Sequence, residues 1–254
     1  MLIAITRGVS PTMAQCELTH LPRQPIDLDQ AIAQHHAYEE CLAALGCEVQ
    51  RLPAEADLPD SVFVEDTALV LDEVAVITRP GAISRRPETE AVTAALISYR
   101  PLRYLEAPGT LDGGDVLRLG RRLFVGQSSR SNEAGIAQLG QLVAPFGYTV
   151  HGVTIQDCLH LKTAVTQVAP DTLLVNRAWV DPAVFGPWRL IDVALAEPFA
   201  ANALLVNDTV VYPTTYTLTR RRLQEAGLPV TGVDVSELLK AEGAVTCCSL
   251  LFEA

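Results

Sequence analysis

A thiol, an imidazole and two acids recur in this chain at nearly even spacing. Glu65, Asp112, His160, Asn202 and Cys247 follow one another at intervals of 42–48 residues, each in the opening stretch of a β-rich segment. A thiolate is a strong nucleophile, and an imidazole can carry a proton to a leaving group. Taken singly, each residue has an ordinary reading. Free cysteine usually packs as a small hydrophobe. A histidine between Leu159 and Leu161 reads as a satisfied, half-buried residue. Asp112-Gly-Gly-Asp115 reads as a turn, since Asp and Gly favour turns, and Phe63-Val-Glu-Asp66 as a strand end with solvated acids. Asn202 is read as structural. Joint placement at one repeat position favours convergence on a shared pocket instead.

The acids bear on the substrate. Carboxylates beside a thiol raise its pKa, because they disfavour more negative charge. A hydrolase of neutral esters or peptides gains nothing from them. A guanidinium is gripped by carboxylates in matched planar geometry, and its charge helps ionise the thiol.

Repeated elements must bring these residues together. Ala4-Ile-Thr-Arg-Gly-Val-Ser10 resembles Val76-Ile-Thr-Arg-Pro-Gly-Ala-Ile-Ser84, and a unit of strand, tight turn and strand, usually followed by a helix, recurs. Val62 to Leu71 turns at Asp72-Glu73 into Val74 to Thr78. Asp115 to Leu119 turns at Gly120-Arg121 into Leu123 to Gly126. His160 to Val168 turns near Pro170-Asp171 into Leu173 to Asn176, and Ala203 to Val206 turns at Asn207-Asp208 into Val210 to Tyr212. Helices are expected from about Asp29 to Leu45 with Gly46 as stop, from near Pro87, from Asn132 as cap, and from about Thr219 to Gly227. The last strand, Val245 to Phe252, has no partner after it; the first, Leu2 to Thr6, has none before it. Pairing them closes a ring of five units. Cys247 and Cys248 would then face opposite sides of a strand.

Composition narrows the function classes. The chain has 254 residues, a formal charge of −11 and 49% hydrophobic residues, so a sizeable core is expected and nucleic acid is a poor partner. No run of eighteen apolar residues suggests a membrane span. Met1 to Arg7 reads as a strand and not as a signal peptide. Six cysteines without zinc or CxxC spacing read as reduced thiols in a cytoplasm, with no metal and no cofactor expected.

Several segments resemble the dimethylarginine dimethylaminohydrolases of the pentein, or guanidino-group-modifying, superfamily. They are Asp60-Ser-Val-Phe-Val-Glu-Asp66, Arg79-Pro-Gly with Ser84-Arg-Arg86, Leu111-Asp-Gly-Gly-Asp115, Leu159-His-Leu-Lys162, Ala200-Ala-Asn202 and Thr246-Cys-Cys-Ser249. The matches run in order along nearly the whole chain. The resemblance implies an α/β fold: a single domain over residues 1–254, built as a five-bladed pseudo-symmetric propeller of ββαβ units, the fifth closed by the terminal strands. It implies Cys247 as nucleophile, His160 as general acid and base, and Asp112 as the residue that orients His160 and touches the substrate. Asp66 would grip the guanidinium, helped by Asp60 and Glu65. Arg85 and Arg130 would hold the α-carboxylate of a small cationic amino acid, and Leu18 and Ala241 would offer main-chain contacts. A lid is expected over Val9 to Pro25.

Two details qualify the resemblance. Some bacterial members carry Glu where this chain has Asp112. Related arginine and agmatine deiminases place an acid two residues after the histidine, where this chain has Lys162; losing that acid fits a methylated guanidinium, which donates fewer hydrogen bonds. The implied reaction is hydrolysis of Nω-methylated arginines to citrulline and an alkylamine through a covalent thiouronium. The competing readings are a small deiminase of arginine or another guanidine, and a non-catalytic amino-acid-binding protein on the same scaffold. The oligomeric state is left open, a homodimer being one choice.

Overall fold

The computed structural model describes residues 1–254 and builds them into five three-stranded sheets. Strand β1 (Leu2–Arg7), helix α1 (Leu28–Ala44) and β2 (Glu48–Leu52) begin the first unit. The second holds β3 (Ala68–Val70), β4 (Ala75–Ile77), α2 (Thr89–Leu96) and β5 (Leu102–Tyr104). The third holds β6 (Val116–Leu119), β7 (Arg122–Gln127), α3 (Glu133–Val143) and β8 (Thr149–Thr154). In the fourth, the single turn α4 (Leu161–Ala164) leads into β9 (Val165–Ala169), β10 (Thr172–Val175) and β11 (Arg189–Asp192). The fifth holds β12 (Leu204–Val206), β13 (Thr209–Pro213), α5 (Thr217–Glu225) and β14 (Val230–Val233). Helix α6 (Ser236–Leu239) then leads to β15 (Leu250–Glu253), which returns to β1.

Every sheet follows one plan: an antiparallel pair, then a third strand parallel to its middle member. The expected closure is present. β15 lies antiparallel to β1, with Leu2 opposite Glu253 and Ile5 opposite Leu250.

The strand sequences explain the ring. Side chains alternate between the two faces of a strand, and here both faces are buried, so the strands read as continuous apolar runs. On β1, Ala4 joins one apolar cluster while Ile3 and Ile5 join another. On β10, Leu173 and Val175 enter one cluster and Leu174 the next. Five clusters result, each wedged between two neighbouring sheets. The apolar core is therefore divided among the gaps, and the axis is left for polar groups.

Two expectations need correcting. Glu65, Asp112, His160 and Cys247 do not lie in the first strands of their units. They occupy tight turns just before them: Val64–Thr67 and Gly113–Asp115 are 3-10 turns, His160 precedes α4, and Val245 to Cys248 is a turn. Five sheets crowd together near the axis, which leaves no ladder partner for a longer strand. Cys247 and Cys248 therefore do not alternate across a strand. The fourth unit has only a 3-10 turn, Pro182–Phe185, where other units carry a helix.

Candidate active site

Glycines let the axial turns approach one another. A Cβ on Gly113 would lie 2.0 Å from the Glu65 carbonyl oxygen, and one on Gly114 would lie 2.6 Å from His160 Nδ1 and 2.8 Å from Asp66 Oδ1. The Asp112-Gly-Gly-Asp115 segment is thus more than a turn. It places a bare backbone against the histidine, and the Gly114 N–H donates to Asp66 Oδ1 at 2.9 Å.

Cys247 and His160 line the same two adjoining cavities. The thiol is almost enclosed, and the Ala244 N–H donates to its Sγ at 3.3 Å. Burial, then the carboxylates of Glu65 and Asp66, push the thiol up to about 12. Burial also opposes the charged form of His160, but Asp66, Asp115 and Asp112 outweigh it and hold the imidazole up at about 9. His160 Nε2 donates to Asp112 Oδ2 at 3.1 Å and lies 4.0 Å from Asp66 Oδ1. At neutral pH the site therefore pairs a neutral thiol with an imidazolium.

Asp112 stands behind the ring and does not reach either cavity. It is fully buried, and its second oxygen accepts from the Gly81 N–H at 2.9 Å. Its two oxygens are thus shared between His160 and the Gly81 N–H. Asp115 braces the neighbouring turn. It accepts from the Leu161 N–H and from the hydroxyls of Ser128 and Ser131.

Asp66 and Arg85 both line the narrow cavity and are bound to each other. Arg85 Nη1 donates to Asp66 Oδ2 at 2.6 Å. Its other donors go to Glu88 and to the carbonyls of Phe63 and Asp60. Burial favours the neutral acid, yet His160 and Arg85 hold the Asp66 carboxyl down at about 2. Asp66, Asp112 and His160 bring ligand atoms within 4.8 Å of one another, as a divalent-cation site would. Each carboxylate oxygen already accepts a hydrogen bond within the protein, so the set is satisfied by protein donors.

Arg130 lines the narrow cavity too, but its Nη1 is buried without a partner, while Nη2 donates to Thr19 Oγ1 at 3.2 Å. A buried, unpaired guanidinium donor is costly and points to an absent acceptor. Of the two expected carboxylate-binding arginines, Arg130 has the free donor and Arg85 is committed inside the protein.

Glu65 is also committed. Lys162 Nζ donates to its Oε1 at 2.6 Å and Thr246 Oγ1 to its Oε2 at 2.8 Å. Asn202 donates to Thr246 Oγ1 and accepts from the Thr246 N–H, which fixes the turn that carries Cys247. Asn202 also lines the wide cavity.

The expected lid contains Asp60's partner. The Glu17 N–H donates to Asp60 Oδ2 at 3.0 Å. Glu17 lines the narrow cavity, His20 and Leu21 the wide one, and Ala241 the narrow one. Leu18 turns its half-buried side chain to the apolar cluster around α1 instead of lining either cavity. Glu242 holds this loop: its carboxylate accepts from the N–H groups of Thr19, His20 and Leu21 at 2.5–2.9 Å. Its backbone is left-handed, with φ of 58°, a cost that a non-glycine residue bears only where surrounding contacts fix it.

Glu88, Glu242 and Thr246 are not singled out by the sequence; Thr246 adjoins Cys247, Glu242 adjoins Ala241, and Glu88 stands three residues after Arg85, so position is the only signal each carries.

No family model matches the chain. The N(G),N(G)-dimethylarginine dimethylaminohydrolase of Pseudomonas aeruginosa is 36% identical over 228 residues, covering 89% of this chain and 90% of that protein. Its namesake from Streptomyces coelicolor is 39% identical over 249 residues, covering 97% and 95%. A Cys-to-Ser mutant of the Pseudomonas enzyme, solved with citrulline, superposes with a TM-score of 0.94 at 34% identity over 98% of both chains. The N-terminal domain of ArgZ, a cyanobacterial arginine dihydrolase, shares the fold at 21% identity, with a TM-score of 0.87 over 99% of this chain and 98% of that one. No helix here is long and apolar enough to cross a membrane.

Proposed function

The chain belongs to the N(G),N(G)-dimethylarginine dimethylaminohydrolase family, and we propose that it hydrolyses asymmetric dimethylarginine and monomethylarginine to citrulline plus dimethylamine or methylamine. One observation carries the reading: Cys247 and His160 meet on a cavity with Asp66, next to a buried Arg130 donor that lacks an acceptor. The acid suits the guanidinium, and the free donor suits an α-carboxylate. Residues 1–254 act as one catalytic domain. Six free thiols suit a cytoplasmic setting.

The charges set the order of steps. A bound guanidinium offsets Glu65 and Asp66, the carboxylates that hold the Cys247 thiol up. The thiol then loses its proton to water, because His160 already carries one. The thiolate attacks the guanidinium carbon. His160 hands its proton to the departing amine as the C–N bond breaks, leaving a thiouronium on Cys247. Neutral His160 then takes a proton from water as that water attacks the same carbon. The C–S bond breaks, the hydroxyl added by water passes its proton to the sulfur, citrulline leaves, and the thiol is restored. His160 supplies about 10²–10⁴-fold of the rate in this scheme. No cofactor enters these steps.

Incubation with asymmetric dimethylarginine and with arginine in parallel tests the proposal. Citrulline with dimethylamine from the first is expected. Citrulline and ammonia from arginine alone would mark a deiminase, and no citrulline from either a binding protein.

A further inference from the structure

The two cavities that meet at Cys247 and His160 differ in chemistry. The narrow one holds Asp60, Asp66, Arg85 and Arg130. The wide one, about 330 Å³, mixes apolar walls at Leu21, Phe199, Tyr216 and Leu239 with polar side chains such as Gln24 and Ser236. Two lysines also reach it, and both are already paired. Lys162 is bound to Glu65, and Lys240 lies 2.7 Å from Glu237. Their alkyl stems add apolar wall. A methyl or dimethyl group occupies a small part of this space.

The contrast fixes how an arginine derivative lies. In the wide cavity both lysines are already held by carboxylates, whereas Arg130 offers the α-carboxylate an unused buried donor in the narrow one. With the carboxylate there and the guanidinium carbon at Cys247, the substituted nitrogen faces the wide cavity. We infer that this cavity is a subsite for the Nω-substituent, and that the chain hydrolyses arginines bearing longer Nω-alkyl groups, such as propyl, as well as methylated ones. The inference rests on the hydrolase reading above and extends it at the substituent. The chemistry balances as before: Cys247 Sγ bonds to the guanidinium carbon, the bond from that carbon to the propyl-bearing nitrogen breaks, and His160 protonates the leaving propylamine. Water then supplies the citrulline oxygen and the protons returned.

The test compares kcat/KM for Nω-methylarginine and Nω-propylarginine, measuring citrulline and identifying the amine. A closed methyl pocket discriminates against extra methylenes by about 10–200-fold each. Here the propyl value is expected within about tenfold of the methyl value. Leu239→Trp, which fills the wall with a larger ring, should lower the propyl-to-methyl ratio by about tenfold or more. Phe199→Ala, which widens it, should raise the ratio. Ratios cancel any loss of folded enzyme. Release of methylamine without propylamine by the unmodified protein would overturn the subsite while leaving the hydrolase reading intact. So would ratios unmoved by both variants. Turnover of neither substrate would overturn the hydrolase reading itself, and the subsite with it.

Discussion

Lys162 Nζ lies 2.6 Å from Glu65 Oε1, and this pair separates the wide cavity from a second one lined by the first strands of the five sheets. Both residues line both spaces. Lys162 offsets Glu65 as Arg85 offsets Asp66, so each of the two acids beside Cys247 has one cationic partner within the protein. Removing one partner of a buried pair strands the other. Lys162→Met should lower stability by about 3–5 kcal/mol, seen as a fall in Tm, and Lys162→Met with Glu65→Gln should recover much of it. Equal Tm values for the single variant and the unmodified protein would show that the pair does not hold the axis.

The adjacent thiols separate nucleophile from packing. Cys248 is fully buried, and its Sγ donates to the Ala244 carbonyl at 3.5 Å. Cys247→Ser should lower kcat by about 10⁴-fold or more, whereas Cys248→Ser should retain most of the activity. Comparable losses in the two variants would move the nucleophile assignment.

The two arginines should fail differently. Arg130→Ala removes the unpaired donor and should raise KM by roughly 30–100-fold, the worth of a charge-assisted hydrogen bond, with kcat nearly unchanged. Arg85→Ala strands Asp66 and Glu88 in the interior and should destabilise the fold by about 3–5 kcal/mol. Steady-state kinetics and thermal melts on both variants distinguish the cases; a pure KM effect at Arg85 would make it a substrate ligand.

Glu242 gives the lid a checkable anchor. Glu242→Gln replaces an acceptor of three N–H bonds with a side chain that must turn an NH₂ group toward donors. KM should rise roughly tenfold, and trypsin should cut faster after Arg23, which lies in the same loop. Unchanged cleavage would remove Glu242 from any part in closing the loop.

The charged pair at the centre makes stability depend on pH in a defined direction. His160 is raised from an ordinary 6.5 to about 9, so its imidazolium stabilises the fold fully below 6.5, and that contribution is lost as pH rises through 9. Asp66, lowered from 3.8 to about 2, contributes above 3.8, and its share is lost as pH falls through 2. Denaturant midpoints should therefore decline between pH 6.5 and 9, and His160→Asn should flatten that decline. Turnover should also fall above pH 9, where His160 no longer carries the proton for the leaving amine.

The fold was legible because its repeat is written in turns. Gly120-Arg121 and Asn207-Asp208 sit between antiparallel strands as expected, and Asn132 caps α3 by accepting from the Gly135 N–H. Convergence of Glu65, His160 and Cys247 followed from spacing alone. Their place in axial turns did not, since a short apolar run reads the same whether it ladders or bends. The partners of each charge were also hidden. The Arg85–Glu88 pair is local, three residues apart, but nothing local marks Arg85 as the partner of Asp66 or Arg130 as the partner of Thr19, because these contacts span 19 and 111 residues. Thr246 and Asn202 meet across 44 residues for the same reason.

The pairing of β1 with β15 has a consequence during synthesis. β1 is made long before β15, so one edge of an almost fully buried apolar strand stays unpaired until β15 follows. Open strand edges invite pairing between chains, and contacts this distant in sequence form slowly. The same final strand follows directly on the turn bearing Cys247. A nascent chain therefore carries an exposed sticky edge and no nucleophile together, and a single late event removes the first while installing the second.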